Sequence, residues 1–393
     1  MLSAGDLGLL LEQTAGGIRA LQLLDAASGV QLFAPQPLPL FSLTLRRSGS
    51  TDDTKLTADD GWREARIERR EAGPVKLAWS GARPEGLDAL RVEAVATPDG
   101  TGSAIRWSLH VVTPGEWQLR EVVFPQVAVA DLGRDADVVF PRGSGEVQRG
   151  LWQRAFKYSG RYPSGWTSMQ WLAAYDAARR TGLYVAMHDP GAATKEIQLE
   201  SRPSGHAVTF AFEHPAAGTD QPGRAFALPG EAVWQLLRGD WYDAAQIYRQ
   251  WAMHNAKWWP ALGPDGRADT PPWMRELPAW ALASGSPAAL ADWNNLHNED
   301  DELVNVWHCG VFPASFAKGK PKLGVQEIIA SSGAASYEDS QGTVEFVARP
   351  SPLTRCRVTQ APDGSWKAML AEGKIEDNPA KTFGAYGWCR IPN

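Results

Sequence analysis

The chain has 393 residues, 44% hydrophobic and 21% charged, with a formal net charge of -6. This is the make-up of a folded protein with more than one core, and it excludes disordered and collagen-like classes. No dense Lys/Arg run could neutralise phosphates and no apolar run reaches spanning length, so neither nucleic acid nor membrane is an expected partner.

The opening reads as hairpins: an apolar run through Leu21 and Leu24, a turn at Asp25, Ser28 and Gly29, then Val30 to Phe33. Asp6 and Glu12 interrupt the apolar stretches of residues 1–24 without a basic segment before them, so a secretory signal is not visible. Short alternating runs with Gly, Pro and Asp breaks recur at 64–79, 88–96, 104–112, 119–129, 182–188, 195–202 and 207–212. So many runs without helices predict an antiparallel β-sandwich over residues 1–235. Within it His188 and Asp189 suggest an acid/base pair, but neighbours on a strand point to opposite faces, which favours structural roles.

Asp240 can cap a helix whose stripe is Trp241, Ala244, Ala245, Tyr248, Trp251 and Ala252. That stripe is expected to dock the helix on the sandwich. Residues 236–281 thus read as a linking helix, a connector from Pro260 to Pro272 and a short apolar strand at Leu277 to Leu282. Beyond it, Val344 to Val347, Cys356 to Thr359 and Trp366 to Leu370 read as strands, with an Asp363-Gly364 turn, and predict a small C-terminal sheet. Cys309, Cys356 and Cys389 have no paired spacing and read as reduced thiols of a cytoplasmic protein. The 18 tryptophans hint at carbohydrate, since an indole face stacks on a sugar's C–H face, although most are expected to fill cores.

The stretches FPRGSGE (140–146), YPSGWTSMQWLAAYD (162–176), TGLYVAMHDP (181–190), GDWYDAAQIYRQWA (239–252) and PPWMRELPAW (271–280) resemble a glycoside-hydrolase-like family. The resemblance implies a galactose-mutarotase-like sandwich, a linking helix and then a (β/α)8 barrel carrying paired carboxylates. A barrel needs about 250 residues, more than follow Ala281, so the barrel and its carboxylates are expected to be missing.

From residue 282 the stretches LASGSPAALADWNN (282–295), VWHCGVFPASF (306–316), SPLTRCRVTQAPDGSWKAMLAEGKIEDNP (351–379) and KTFGAYGWCRIPN (381–393) resemble the C-terminal region of L-fucose isomerase and related aldose–ketose isomerases. The resemblance implies a small β-barrel-like domain over 282–393 and a divalent metal, usually Mn2+. The family's acidic ligands precede this region and its histidine follows it, so no metal site and no cofactor are expected in this chain unless another chain completes the site with Mn2+. The remaining candidate sugar contacts are His308, Trp293, Asn294 and Asn295. Glu299, Asp300, Asp301 and Glu302, like Glu372, Glu376 and Asp377, read as solvated loop acids.

The overall expectation is a mainly β chain, a fusion of two truncated carbohydrate-enzyme families near residue 282, without a complete catalytic set. A carbohydrate is the expected ligand. A barrel strand without its neighbours leaves an exposed edge and predicts oligomerisation. The alternatives are an isomerase working with a complementing chain, a non-catalytic carbohydrate-binding module, and a rearranged reading frame with no joint function.

Overall fold

A computed structural model describes residues 1–270, except 70–72, 101, 217–220 and 265, and beyond them the backbone of nine strands between Ala279 and Ile391. The chain divides into two compact units, Met1–Trp259 and Pro260–Asn393.

The first unit is a sandwich of two antiparallel sheets. One runs Lys157–Tyr162, Lys195–Arg202, Ala207–Pro215, Trp117–Ala130, Ser42–Arg47, Asp53–Thr57. The other runs Glu146–Arg149, Asp137–Phe140, Trp171–Asp176, Thr181–His188, Glu231–Leu236, Ala104–Val112, Arg91–Pro98, Val75–Ala82, Trp62–Arg69, with Ala225–Ala227 also paired to Ala104–Val112. A four-stranded sheet, Leu2–Ala4, Leu7–Gln13, Ile18–Asp25 and Val30–Gln31, completes the unit.

Between the sheets lies one apolar core in which Trp62, Trp79, Trp107, Trp152 and Trp234 are fully enclosed. Alternation places Ile197 and Leu199 inward on one strand and Val208, Phe210 and Phe212 on the next. The run at 64–79 resolves into two strands, Trp62–Arg69 and Val75–Ala82.

Trp171–Asp176 escapes an alternation-based reading because all six of its residues are buried. Its neighbour Thr181–His188 is likewise buried throughout. Both are covered on two faces, by the core and by the helix Trp241–Asn255. A strand buried on both faces loses the polar half of its pattern.

That helix starts as its sequence predicts. The Asp240 side chain accepts the Tyr242 N–H at 2.7 Å, and Asp243 accepts the Asp240 N–H at 3.0 Å. The reciprocal bonds satisfy donors that a helix start leaves open. Ala244, Tyr248 and Ala252 are buried against Trp171, Ala173, Tyr184 and Ala186, so the stripe docks the helix on the sheet. Trp241, expected in the stripe, is half exposed and lies outside the contact.

In the second unit Leu262–Gly263 and Gly266–Arg267 pair as a two-stranded sheet, and the nine strands described beyond them form one sheet that does not close into a barrel. Its order is Ala279–Ser284, Glu302–Trp307, Gly387–Ile391, Glu327–Ala330, Ala334–Glu338, Val344–Ala348, Thr354–Gln360, Trp366–Leu370, Ile375–Glu376. The first pair is parallel and the others are antiparallel. The apolar segment read as a lone barrel strand is therefore recruited at an edge of this sheet. The whole chain is mainly β, and among the described residues no helix is long and apolar enough to cross a membrane.

Candidate functional site

A cluster of buried polar groups lies at one end of the sandwich, around Lys195 and Asp189. Lys195 opens an inward-alternating strand, so its side chain enters the space that Ile197 and Leu199 fill further along. Asp189 follows the last residue of Thr181–His188 in the opposite sheet. The Lys195 ammonium donates to Asp189 Oδ2 at 3.0 Å, Gln170 Oε1 at 2.7 Å and the Ala193 carbonyl at 2.6 Å. Three acceptors use all three of its protons.

Asp189 is equally engaged. Besides Lys195 it accepts the backbone N–H groups of Gly191 and Ala193 at 2.9 and 2.7 Å. Burial lowers the Lys195 pKa, opposed by the adjacent carboxylate. The Tyr162 ring lies 4.8 Å from the ammonium, and burial raises the tyrosine's own pKa.

His214 continues the inward alternation of Phe210 and Phe212 and is buried beside this cluster. The strand it faces, Trp117–Ala130, shifts register between Val123 and Gln126, and the bulge interrupts its ladder at Phe124 and Pro125. His214 Nε2 donates to the Phe124 carbonyl at 2.8 Å. Burial, with Lys195 nearby, holds the His214 pKa down at about 4, so the ring is neutral at pH 7. With the proton on Nε2, Nδ1 carries a lone pair, and it has no partner.

His214 borders a cavity of about 310 Å³ whose apolar wall includes Leu119, Pro215 and Phe226, with Thr194, Gln221 and Arg224 among its polar members. The His214 and Phe226 ring centroids are 6.2 Å apart.

On the other face of the large sheet, His188 stacks on Trp251 of the helix at 4.6 Å and 15°, and its Nε2 meets the Tyr184 hydroxyl at 3.2 Å. Burial, then the charge of Arg106, lowers its pKa to about 3. His188 thus faces the helix and Asp189 faces Lys195, the divergence that strand geometry predicts for adjacent residues.

Trp166 is the most exposed tryptophan among the described residues, at 73% ahead of Trp241 and Trp258, and its loop is braced. Ser164 Oγ accepts the Trp166 and Thr167 N–H groups at 3.3 and 2.9 Å, and the Trp166 carbonyl accepts the Gly143 N–H at 2.9 Å. An apolar face held open by a hydrogen-bonded loop is a ready stacking surface.

The sequence-predicted sugar contacts Trp293, Asn294, Asn295 and His308 lie outside the described residues, as do Glu299, Asp300, Asp301, Glu372 and Asp377. Glu302 and Glu376 fall in strands whose backbone alone is described. Among the described residues no three His, Cys, Asp or Glu side chains gather to hold a metal. Lys195 and His214 escaped the sequence reading. The available signal was the two-residue spacing of Phe210, Phe212 and His214, which sends the histidine inward.

Residues 226–318 match a family described as a domain of unknown function (DUF6259). The match continues through residue 282, so it gives no support to a join there, and it includes the isomerase-like stretches at 282–295 and 306–316. A curated protein of Monosiga brevicollis, "Putative glycoside hydrolase 22789", is 30% identical over 200 residues, covering 49% of this chain and 15% of its own length.

Among solved structures, the N-acetylgalactosamine complex of the α-N-acetylgalactosaminidase NagBb from Bifidobacterium bifidum is similar with a TM-score of 0.54 and 12% identity, over 76% of this chain and 49% of that one. The GH36 α-galactosidase AgaA from Geobacillus stearothermophilus gives a TM-score of 0.41 and 14% identity, over 62% and 41%. The chain spans less than a sixth of the curated relative and about half of each solved structure. It is glycoside-hydrolase-like, and the NagBb similarity is one of fold.

Proposed function

We propose that the chain is a non-catalytic, carbohydrate-binding protein of glycoside-hydrolase-like architecture, with Trp166 as the principal sugar-stacking residue of its first unit. The exposed, braced Trp166 carries this reading: it is the most exposed of the described indoles, and Trp62, Trp79, Trp107, Trp152 and Trp234 are enclosed in the core. Hydrolysis by paired carboxylates needs one free to give a proton and another free to attack or to activate water. Asp189, the buried acid at the sandwich end, is held by Lys195 and two backbone amides and serves neither purpose.

The test is retention of the purified full chain on galactose- and N-acetylgalactosamine-containing polysaccharides, with release of reducing sugar followed in parallel. Retention without release, and its loss in Trp166→Ala, is the expected result. Sugar release by the chain alone, or retention indifferent to Trp166, overturns the reading.

For the tail we retain an L-fucose-isomerase-like reading, supported by the antiparallel succession Val344–Ala348, Thr354–Gln360, Trp366–Leu370. The described side chains supply no ligand set, so no chemical step is assigned to a metal. On this reading the tail depends on a complementing chain and Mn2+, and the protein is cytoplasmic. Turnover of L-fucose with Mn2+ by the chain alone would show that the site is complete without a partner.

A further inference from the structure

We infer that Trp166 is held in its exposed position by a latch behind it, a hydrogen bond between Tyr158 and Thr167 seated in a slot that glycine at position 160 leaves open. The inference rests on Trp166 as the sugar-stacking residue and names the residues that set its presentation. Tyr158 and Gly160 stand two apart on the edge strand Lys157–Tyr162, so they share one face, the less exposed one. The Tyr158 ring packs on Phe140 of the opposite sheet with centroids 4.9 Å apart, and its hydroxyl meets Thr167 Oγ1 at 2.6 Å. Thr167 is fully buried, although the Trp166 beside it is largely exposed.

Gly160 makes room for this contact. A Cβ built there would overlap both Thr167 Oγ1 and the Tyr158 hydroxyl. Neither group is free to yield. Phe140 backs the Tyr158 ring, while the Thr167 backbone bridges Arg142 and its carbonyl accepts the Ser164 N–H at 3.1 Å. The Tyr158 hydroxyl also lies 3.4 Å from the Trp166 carbonyl, which can only accept, so with Thr167 donating the three groups form one chain.

From the other side the Gly143 N–H donates to the same carbonyl at 2.9 Å, and Ser168 Oγ donates to the Gly143 carbonyl at 2.6 Å. The backbone on either side of the indole is thus tied to both sheets before any ligand arrives. Binding then has only the indole's own rotation to order, not a loop, and the smaller entropy cost leaves more of the stacking energy as affinity.

Labelling the full chain with 5-fluorotryptophan gives Trp166 a ¹⁹F line, identified by its absence in Trp166→Phe. Gly160→Ala and Thr167→Val should each shift or split this line, while Thr167→Ser, which keeps the hydroxyl, should leave it in place. Affinity for a galactose-containing polysaccharide should fall about fivefold in Thr167→Val, the effect of losing one hydrogen bond, and recover in Thr167→Ser. Thr167→Val keeps the shape of the side chain and decides the matter should Gly160→Ala fail to fold.

A line that stays in place in Thr167→Val, or that moves equally in Thr167→Ser, overturns the latch. The line is read without sugar, so the two claims separate. Retention indifferent to Trp166→Ala overturns the sugar reading alone. Where Trp166→Ala does abolish retention, affinity unchanged in Thr167→Val overturns the latch as a determinant of binding.

Discussion

Lys195 and Asp189 meet at 3.0 Å across the end of the sandwich, with side chains 0% and 3% exposed, and so join one sheet to the other through a buried ion pair. Removing one partner strands the other's charge in a medium that solvates it poorly. Lys195→Met should therefore cost about 3–5 kcal/mol. Urea unfolding followed by core tryptophan fluorescence measures this, and a loss below about 1 kcal/mol would mean that the pair is open to water.

A second buried acid has the opposite reach along the chain. Asp25 is closed to solvent and accepts Arg238 through both carboxylate oxygens, one contact at 2.8 Å, with Thr181 at 2.9 Å and Ser28 at 2.6 Å. Burial alone would raise its pKa, but bonds from Arg238, Ser28 and Thr181 outweigh it and hold the carboxyl well below the usual range. A depressed folded pKa contributes stability that is fully present above the unfolded value of about 4 and is lost as pH falls toward the folded one. Arg238→Ala should cost about 2–3 kcal/mol at pH 7, below the figure for a fully enclosed pair because Arg238 is a third exposed. Unfolding at pH 7 and pH 3 should show a smaller penalty at the lower pH.

The two buried histidines give a separate acid signature. Their folded pKa values, about 3 for His188 and about 4 for His214, lie below the unfolded value of about 6.5. The unfolded chain therefore takes up protons first, and stability declines as pH drops from about 7 toward 4. Imidazole ¹⁵N shifts should show both rings neutral at pH 5.5. A ring titrating near 6.5 would contradict the enclosure described.

The helix cap is a smaller term. Asp240→Ala removes the acceptor for the Tyr242 N–H and should cost about 1 kcal/mol, while Asp240→Asn should retain most of the stability. Thermal unfolding of the two variants side by side tests the cap directly.

How much of this was readable beforehand depended on whether a signal was local. Asp240 and the Ala244, Tyr248, Ala252 spacing are local, and the helix follows from them. The alternating strands around the core were readable for the same reason, whereas Trp171–Asp176 was hidden by burial on both faces. Lys195 looks like any surface lysine until the opposite sheet brings Asp189 to it, and Arg238 lies more than two hundred residues from Asp25. Such pairings arise from tertiary structure and leave no spacing in the sequence. His214 was partly legible, since its register was visible but the bulge that turns Phe124 toward it was not.

The Asp25–Arg238 contact also has a mechanical meaning. It ties the first hairpins of the chain to Arg238, two residues before the Asp240 cap, while Thr181 joins the same carboxylate to the large sheet, so the beginning and the end of the sandwich are fastened to each other. Tension applied between residue 1 and the segment after Trp259 would load this clamp before it could peel strands from the core. Force spectroscopy should then show Arg238→Ala unfolding at a lower force, with its first event beginning at the amino-terminal hairpins.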